Sequence, residues 1–253
     1  KTAALFDFDG TLIAGFSAVQ FLREQLRQRR LGLGEARAMA ANTLRLLARR
    51  ASFSELFNAA CELLANTDEQ EYAQFGRAVY EKRIARLIYP EARALIREHR
   101  SRGHRVAILS SATRYQVLPA AEDLGVETLC CTELRVRAGR LTGQVKGDIL
   151  WGEGKLAAAR RLARRTGFRL QDAFFYSDSD EDVPLLDTVG HPRVMNPNKA
   201  LARVAAERDW PVRRFRDLRR VTAGGVLRSL AADLSMLPVM LTSFSVLAMT
   251  GSK

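Results

Sequence analysis

The sequence predicts an α/β fold in which a doubly wound parallel sheet carries a block of helices inserted after its first strand. From residue 90 onward, short apolar runs alternate with helical patterns, which is typical of a parallel sheet. Residues 16–89 show no strand pattern, and their apolar positions recur at spacings of three and four, as in amphipathic helices. Polar residues follow several of the apolar runs, as expected where parallel strands end.

The composition limits the class of protein before any motif is considered. The chain has 253 residues, 47% of them hydrophobic and 27% charged, as in a folded globular protein. Its formal net charge of +12 favours anionic partners such as a phosphorylated substrate, an acidic membrane surface or nucleic acid. The three cysteines have no regular spacing, which argues against a disulfide framework and indicates a reduced, cytoplasmic protein.

The first half of the chain begins with a buried strand over Thr2–Asp9 and continues as helices. Ser52-Phe53-Ser54-Glu55 fits a capping box at the start of the third of these helices. The predicted helices are Phe16–Arg29, Glu35–Arg50, Ser52–Ala65 and Asp68–Ala85.

The second half alternates between the two kinds of element. The predicted helices are Pro90–Ser101, Arg114–Leu124, Lys155–Thr166 and Asn198–Asp209. The predicted strands are Arg105–Leu109, Glu127–Cys131, Ala173–Ser177 and one that begins at Val194, with a hairpin over Leu134–Arg137 and Arg140–Val145. We expect His99 and His104, in a basic stretch, to be solvated.

The most informative motif is the strand end Asp7-Phe8-Asp9-Gly10-Thr11. Side chains alternate along a strand, so Asp7 and Asp9 point the same way and Phe8 points opposite. Two converging carboxylates repel each other unless a cation or a proton lies between them. The pattern therefore predicts a cation site with acid–base or nucleophilic chemistry.

Three further polar clusters follow predicted strands or open predicted helices. Ser110-Ser111 follows one apolar run, Lys155 opens a helix after two glycines, and Asp178–Asp182 follows another apolar run. If the strands are parallel neighbours, their carboxyl ends bring the clusters to one edge of the sheet. Each cluster taken alone also has a purely structural interpretation. Ser110 would be a helix N-cap, Lys155 a solvated helix lysine, and Asp178–Asp182 a solvated acidic loop.

The four motifs in this order resemble the haloacid dehalogenase superfamily, and the helical insertion resembles its phosphoserine-phosphatase-like branch, subfamily IB. The resemblance covers residues 3–215, including Asn196-Pro197-Asn198 and Trp210-Pro211. It implies a Rossmann-like core over residues 1–15 and 90–221 and a helical cap over residues 16–89. It also implies an Mg²⁺-dependent phosphomonoester hydrolase that works through an aspartyl-phosphate.

The resemblance assigns a role to each cluster. Asp7 would be the nucleophile, and Asp9 would protonate the leaving alcohol and then activate water. Ser110 would bind a phosphoryl oxygen, and Lys155 would neutralise developing charge. Mg²⁺ would be bound by Asp7, Asp178 and the main chain of Asp9, with Asp182 acting through water or orienting Lys155; this set of oxygen donors, without His or Cys, suits Mg²⁺. The substrate would contact Phe8, Gly10, Thr11, Phe16, Ser110, Ser111 and Lys155.

The substrate is less well defined by the sequence. Phosphoserine enzymes of this branch carry a glutamate nine residues after the nucleophile, and that position is Phe16 here. Phe16, Val19 and Phe21 would then line an apolar entrance, or else form ordinary cap core. The chain also resembles phosphatase domains fused ahead of a 1-acylglycerol-3-phosphate acyltransferase, which suggests a lysophospholipid or glycerophosphate-type ester. A phosphoserine-like small metabolite is the alternative.

The C-terminal part of the chain suggests a membrane-proximal segment. Arg193–Arg228 holds ten basic and three acidic residues, and Leu234–Met249 is almost wholly apolar. Residues 222–253 are therefore predicted to form an apolar helix. It is either an anchor at the inner face of the membrane that leads to a further domain, or a helix packed on the core or on a second subunit in a dimer.

Two other functions are compatible with the same motifs. A catalytically silent module would use the basic surface to bind anionic lipid or nucleic acid, but the arginine clusters are scattered and lack interleaved aromatic residues, so nucleic acid is not expected. A phosphotransferase would pass the phosphoryl group to an alcohol instead of water.

Overall fold

The computed structural model describes residues 2–28, 30 and 52–215 of the chain. The predicted helix at residues 35–50 and the predicted C-terminal segment at 222–253, with its proposed membrane or dimer contacts, lie outside the described residues. None of the helices within the described ranges is both long enough and apolar enough to cross a membrane.

The described elements alternate as predicted, and the insertion between the first two strands is helical. The insertion contains α1 (Ser17–Arg27), α2 (Phe53–Glu62) and α3 (Glu69–Val79), followed by a π-helical turn and a 3₁₀ turn. The strands and remaining helices are β1 (Ala3–Phe6), α4 (Pro90–Ser101), β2 (Arg105–Thr113), α5 (Arg114–Asp123), β3 (Thr128–Arg137), β4 (Arg140–Lys146), α6 (Glu153–Thr166), β5 (Ala173–Ser177), α7 (Val183–Thr188), β6 (His191–Met195), α8 (Lys199–Glu207) and β7 (Val212–Arg213).

The strands form one mostly parallel sheet with β1 near its centre. The strand order is β4-β3-β2-β1-β5-β6-β7, and only the β3–β4 hairpin is antiparallel. Leu5 lies opposite Ala107 of β2 and Phe175 of β5, so β1 is paired on both sides. The carboxyl ends of β1, β2 and β5 consequently meet at one edge of the sheet, which is where ligands bind in this class of fold.

The two faces of the sheet are covered by separate apolar clusters. Ala4 and Phe6 of β1 belong to the cluster that also includes Phe21 and Phe75 of the helical insertion. Ala3 and Leu5 belong to the other cluster, which includes residues of α6 and α7. Alternating side chains of one strand thus bury both faces, which confirms the doubly wound arrangement. The insertion shares its apolar core with one face of the sheet.

Several boundaries differ from the predictions. β2 extends four residues beyond Leu109 because the polar run Ser110–Thr113 stays in the sheet, with a register shift against β3. The predicted strand Glu127–Cys131 and the first hairpin arm form one continuous strand, β3. Helix α7 and the two-residue strand β7 were not predicted.

The expectation that His99 is solvated is wrong. His99 is 3% exposed, and it follows Ala92 and Ile96 on the buried face of α4 at helical spacing. Its Nδ1 lies 2.8 Å from Nδ1 of His104, and its Nε2 lies 2.7 Å from the hydroxyl of Tyr176. Burial, with a smaller contribution from His104, lowers the pKa of His99 to about 4.

Candidate active site

The side chain of Asp7 lies directly beyond β1, at the centre of the sheet edge. The main-chain N–H of Asp7 donates to the carbonyl of Tyr176 at 2.9 Å, which continues the β1–β5 pairing by one residue. The residue is 6% exposed, and its Oδ1 accepts a hydrogen bond from Nζ of Lys155 at 2.8 Å. Sheet pairing therefore fixes the backbone of Asp7, and the ion pair fixes its carboxylate.

Lys155 joins two carboxylates that are far apart in sequence. Its Nζ donates to Oδ1 of Asp7 and to Oδ2 of Asp182, both at 2.8 Å, and the ammonium is almost fully buried. The hydroxyl of Ser177 donates to the same oxygen of Asp182 at 2.7 Å. Burial opposes the charge of Lys155, but the Asp182 and Asp7 carboxylates outweigh it and hold its pKa above the ordinary value.

Asp178 lies against the loop that follows β1. The hydroxyl of Thr11 donates to Oδ1 of Asp178 at 3.1 Å. Gly10 has a φ of +74°, and a Cβ added to it would lie 2.0 Å from Oδ2 of Asp178. Only glycine therefore allows this carboxylate to approach the loop, which explains the Gly-Thr pair after the two aspartates.

Asp9 is held by the start of the helical insertion. The main-chain N–H of Ser17 donates to Oδ1 of Asp9 at 2.5 Å, and the Ser17 hydroxyl donates to Oδ2 at 3.0 Å. The amide of Gln116 on α5 donates to the Ser17 hydroxyl at 3.3 Å. The carboxylate of Asp9 is therefore positioned by a residue of the insertion, which is in turn contacted by the core.

Ser110 and Ser111 lie near the carboxyl end of β2, beside β1. Ser110 is 1% exposed, and its hydroxyl accepts from the main-chain N–H of Ala112 at 3.1 Å, which leaves its proton free to point elsewhere. The carbonyl of Ser111 accepts from the hydroxyl of Thr132 at 2.7 Å. The two serines are thus fixed to their own strand and to β3.

The two phenylalanines proposed to contact substrate occupy different environments. The side chain of Phe8 is fully buried in the apolar cluster, so only its main chain is available to a ligand. Phe16 is 60% exposed and Val19 is 40% exposed, both at the start of the insertion. Phe21 is buried in the core. Of the three side chains predicted to line an apolar entrance, Phe16 and Val19 are therefore exposed, whereas Phe21 belongs to the core of the cap.

The carboxylates of the site are short of positive charge. Burial, opposed by Lys155, raises the pKa of Asp7 to about 6. Burial, opposed by the hydrogen bond from the Ser17 amide, raises that of Asp9 to about 7. Burial and the nearby Asp7 raise the pKa of Asp178 to about 8. One lysine does not neutralise this group of acids, so the site favours a further cation.

Comparison with known proteins identifies the family to which the chain is similar. The haloacid dehalogenase-like hydrolase family matches residues 4–187, which is most of the chain. The chain is 34% identical over 248 residues to a phosphoserine phosphatase of Mycobacterium tuberculosis, covering 90% of this chain and 76% of that protein. It is 33% identical over 221 residues to a probable phosphatase of the same organism, covering 85% of this chain and 76% of that protein.

The chain belongs to the haloacid dehalogenase-like hydrolase family. Within that family it is a phosphatase of the phosphoserine-phosphatase-like branch, as the order of its motifs predicted. A solved structure of a protein of unknown function from Bordetella pertussis shares the fold, with a TM-score of 0.78 and 29% identity, covering 84% of this chain and 97% of that one.

The site of this haloacid dehalogenase-like phosphatase has donors that fit a magnesium ion. The oxygens of Asp7 and Asp178 and the carbonyl of Asp9 are hard ligands, and Mg²⁺ commonly completes its coordination with water. Within the described residues no group of three or more His, Cys, Asp or Glu side chains is placed so that it could hold a metal ion by itself. Oδ1 of Asp182 is buried without a partner in the described structure, although its other oxygen is bound to Lys155. An open site with few protein ligands fits these observations best.

Some residues that shape the site were not predicted. Ser17 and Gln116 position Asp9, Ser177 supports Asp182, and Thr132 links the strand of Ser110 to the loop before α6. Gln116 carries a local signal, because Thr113-x-x-Gln116 fits a capping box and its Oε1 accepts from the Thr113 N–H at 2.8 Å. The contacts of Gln116 with Ser17 and of Thr132 with Ser111 join distant segments, and those of Ser17 with Asp9 and of Ser177 with Asp182 span irregular turns, so neither kind leaves a periodic pattern.

Proposed function

We propose that this phosphatase hydrolyses phosphomonoesters through transient phosphorylation of Asp7, with Asp9 as the general acid and base. The observation that carries the proposal is the buried Asp7–Lys155–Asp182 bridge at the end of the central strand, next to Asp178. A salt bridge that only stabilised the fold would not need the further acids Asp9 and Asp178 beside it. Within the described residues, hydrogen bonds from Ser17 and Thr11, rather than an ion pair, hold these two carboxylates.

In the first step, an oxygen of Asp7 attacks phosphorus while the bond from phosphorus to the ester oxygen breaks. Asp9 donates its proton to that oxygen, so the alcohol leaves neutral. A pKa of about 7, raised by burial, lets Asp9 carry this proton near neutral pH. Lys155 and the Ser110 hydroxyl are the donors available for the phosphoryl oxygens, and their positions are fixed before substrate arrives.

In the second step, Asp9 accepts a proton from water, and the resulting hydroxide displaces Asp7 from phosphorus. Asp9 ends this step protonated and Asp7 ends it free, so both are ready for another ester. The Ser17 N–H and hydroxyl fix the Asp9 carboxylate in both steps. Bound by Asp7, Asp178 and the Asp9 carbonyl, Mg²⁺ would supply charge neutralisation for the phosphate.

The entrance supports an ester with an apolar or bulky leaving group, such as a lysophospholipid or another glycerophosphate-type ester. Phe16 stands where phosphoserine enzymes of this branch place a glutamate, and it is 60% exposed rather than part of the core. The basic surface expected from a net charge of +12 suits an anionic substrate. The sequence resembles phosphatase domains that are fused to an acyltransferase. The proposal therefore includes an acyltransferase domain in the same protein.

Phosphoserine is the second candidate, because a relative 34% identical over 90% of this chain is a phosphoserine phosphatase. Lysophosphatidate, glycerol phosphate and phosphoserine should therefore be tested side by side, with and without Mg²⁺, by phosphate release. Exclusive turnover of phosphoserine would overturn the glycerophosphate proposal.

The chemistry is tested separately with p-nitrophenyl phosphate. We expect Mg²⁺-dependent hydrolysis in the wild type and in the control Asp172→Asn, a surface residue whose carboxylate pairs with Arg169. Asp7→Asn should be inactive and should no longer accumulate an acid-stable phosphoenzyme that mass spectrometry assigns to residue 7. Equal turnover by Asp7→Asn and the wild type would contradict the proposal. Transfer of the phosphoryl group to added alcohols instead of water would identify a phosphotransferase.

A further inference from the structure

Asn196, directly after β6, has a backbone conformation that most residues avoid. Its φ of +44° lies in the left-handed region, which asparagine tolerates better than other side chains do. The next residue is Pro197, which disfavours the right-handed helical conformation at the position before it. The main-chain N–H of Asn196 donates to the carbonyl of Arg213 at 2.9 Å, which extends the pairing with β7. The sheet and the proline therefore hold the backbone of Asn196 in place.

The side chain of Asn196 contacts two segments that are far apart in sequence. Its Oδ1 accepts from the main-chain N–H of Phe215 at 2.8 Å. Because that N–H requires an acceptor, the orientation of the amide is fixed and its amino group points the other way. Nδ2 donates to the carbonyl of Gly10 at 3.4 Å, and no other hydrogen bond to this carbonyl occurs among residues 2–28, 30 and 52–215.

The bond from Asn196 to Gly10 spans the end of β5. The strand order places β5 between β1 and β6, so the side chain of Asn196 passes the end of the strand that Asp178 follows. Gly10 also lies against the Asp178 carboxylate, since an added Cβ would come within 2.0 Å of its Oδ2. Gly10 is therefore in contact with Asp178 through its α-carbon and with Asn196 through its carbonyl.

The same short segment also binds the loop of Asp178. The main-chain N–H of Asn198 donates to the carbonyl of Asp178 at 2.9 Å. Nδ2 of Asn198 donates to Oδ1 of Asp180 at 2.7 Å, and its Oδ1 accepts from the N–H of Leu201 and caps α8. The loop that carries Asp178 is thus attached to the start of α8.

The segment Asn196–Asn198 consequently joins the two loops that carry the proposed cation ligands. One hydrogen bond holds the carbonyl of Gly10, and another holds the carbonyl of Asp178. The residue between the two donors is Pro197, whose fixed φ limits the change in their spacing. The negative charges of Asp7 and Asp178 repel each other and favour separation of the β1 and β5 ends. Neutral hydrogen bonds from Asn196 and Asn198 oppose that separation without neutralising the acids.

We propose that Asn196 is a positioning residue for the magnesium site, and that its bond to Gly10 keeps the loop of Asp9 in register with Asp178 so that both loops bind one cation. The proposal rests on the Mg²⁺-dependent function proposed above. Without this side chain the loop after β1 has to be ordered when the cation binds, and that ordering reduces the affinity. The expected defect is therefore weaker binding of Mg²⁺.

Asn196→Gly tests this role, because glycine keeps the left-handed backbone and removes only the side chain. The matched control is Asn66→Gly. Asn66 is also left-handed, with a φ of +65°, but it lies beyond α2 and its N–H donates to Leu141 of β4. The dissociation constant of Mg²⁺ is measured on the full chain from the rise in Tm with Mg²⁺ concentration. It should increase about tenfold in Asn196→Gly, as for other residues that hold metal ligands in place, and stay within twofold of the wild type in Asn66→Gly.

A purely structural role of Asn196 would lower Tm without Mg²⁺ and leave the dissociation constant unchanged. A constant within twofold of the wild type in Asn196→Gly would therefore overturn the proposal. If this variant does not fold, Asn196→Asp replaces it, because a carboxylate keeps an acceptor for the Phe215 N–H but has no donor for Gly10. Its added negative charge alone would strengthen Mg²⁺ binding, so weaker binding would support the positioning role, and equal or tighter binding would overturn it.

Turnover separates this proposal from the proposed function. The Mg²⁺ concentration that gives half-maximal hydrolysis of p-nitrophenyl phosphate should rise about tenfold in Asn196→Gly, in parallel with the dissociation constant. A wild type that binds Mg²⁺ but hydrolyses no ester would overturn the proposed function, whereas the dissociation constants would still decide the role of Asn196. A wild-type Tm that does not respond to Mg²⁺ would overturn the positioning role.

Discussion

Two clusters of buried charge in this molecule are balanced in opposite ways. In the helical insertion, the carboxylate of Glu24 is 1% exposed and accepts hydrogen bonds from Arg27 and Arg83 at 3.0 Å, with Lys82 at 3.9 Å. The hydrogen bond from Arg27 outweighs burial, so the pKa of Glu24 lies well below its ordinary range. Three cationic side chains surround one acid.

The active site has the reverse balance. One lysine serves Asp7 and Asp182, and Asp178 stands beside them, so burial raises the pKa of Asp7 to about 6 and that of Asp178 to about 8. A buried acid that only stabilises the fold needs its charge compensated, as that of Glu24 is by its three cationic neighbours. The site keeps an excess of negative charge, which costs stability and prepares it for a cation and a phosphate.

The largest effect is expected from removing Lys155, the cation that the described part of the chain places between the acids of the site. Lys155→Met leaves the Asp7 and Asp182 carboxylates buried without their cationic partner, which should cost about 3–5 kcal/mol of stability and reduce turnover by at least about 10³-fold. Urea unfolding and p-nitrophenyl phosphate hydrolysis measure the two losses. Lys155→Arg is the matched control, and it should recover part of the stability. A stable, active Lys155→Met protein would show that the bridge is not central to the site.

The Glu24 cluster should respond in stability alone. Glu24→Gln keeps the shape of the side chain but leaves its cationic partners unmatched, which should lower the free energy of unfolding by about 2 kcal/mol. Because the cluster lies outside the site, kcat at a temperature where the variant is folded should stay within about twofold of the wild type. A large loss of kcat without unfolding would mean that the insertion couples Glu24 to the chemistry.

Acid should remove the contribution of Glu24 to stability. Its pKa in the folded protein is lower than the 4.5 of the unfolded chain, so the unfolded state binds the proton first and stability is lost as pH falls below 4.5. The difference in melting temperature between wild type and Glu24→Gln should therefore be constant from pH 7 to about pH 5.5 and shrink below 4.5. A difference that does not change with pH would contradict an ionic role for Glu24.

A smaller pH effect is expected from His99, which is neutral in the folded protein. Its pKa of about 4 lies below the 6.5 of the unfolded chain, so the unfolded state binds more protons between these values and stability falls as pH decreases through this window. His99→Gln should flatten the dependence of melting temperature on pH between about 6.5 and 4. A profile equal to that of the wild type would show that His99 does not contribute.

The sequence predicts the parts of the site that follow from strand order and motif spacing. Asp7 comes directly after an apolar strand, and the glycines before Lys155 open its helix, so the parallel topology alone brings these residues together. The partners of Asp9 were missed because Ser17 reaches it through the fold of the intervening loop, which no periodicity encodes.

The fold was predicted least well where polar residues remain in regular structure. Ser110 continues β2 because it pairs with Cys131 of β3, and the strand resumes its pairing at Thr113 after a register shift. His99 is buried because its place on α4 faces the sheet, where Tyr176 and His104 satisfy both ring nitrogens. In both cases tertiary contacts decide the outcome, whereas Val183-Pro184 at the start of α7 was a local helix signal that could have been used.

Thermal unfolding in the presence of Mg²⁺ tests most directly whether the active site lacks positive charge. At a concentration about 100-fold above its dissociation constant, Mg²⁺ should stabilise the wild type and Glu24→Gln by about 2.7 kcal/mol, a rise of several degrees in Tm. Asp178→Asn should be more stable than the wild type without Mg²⁺ and should gain little when it is added. A wild-type Tm that does not respond to millimolar Mg²⁺, or an equal response in Asp178→Asn, would contradict the account.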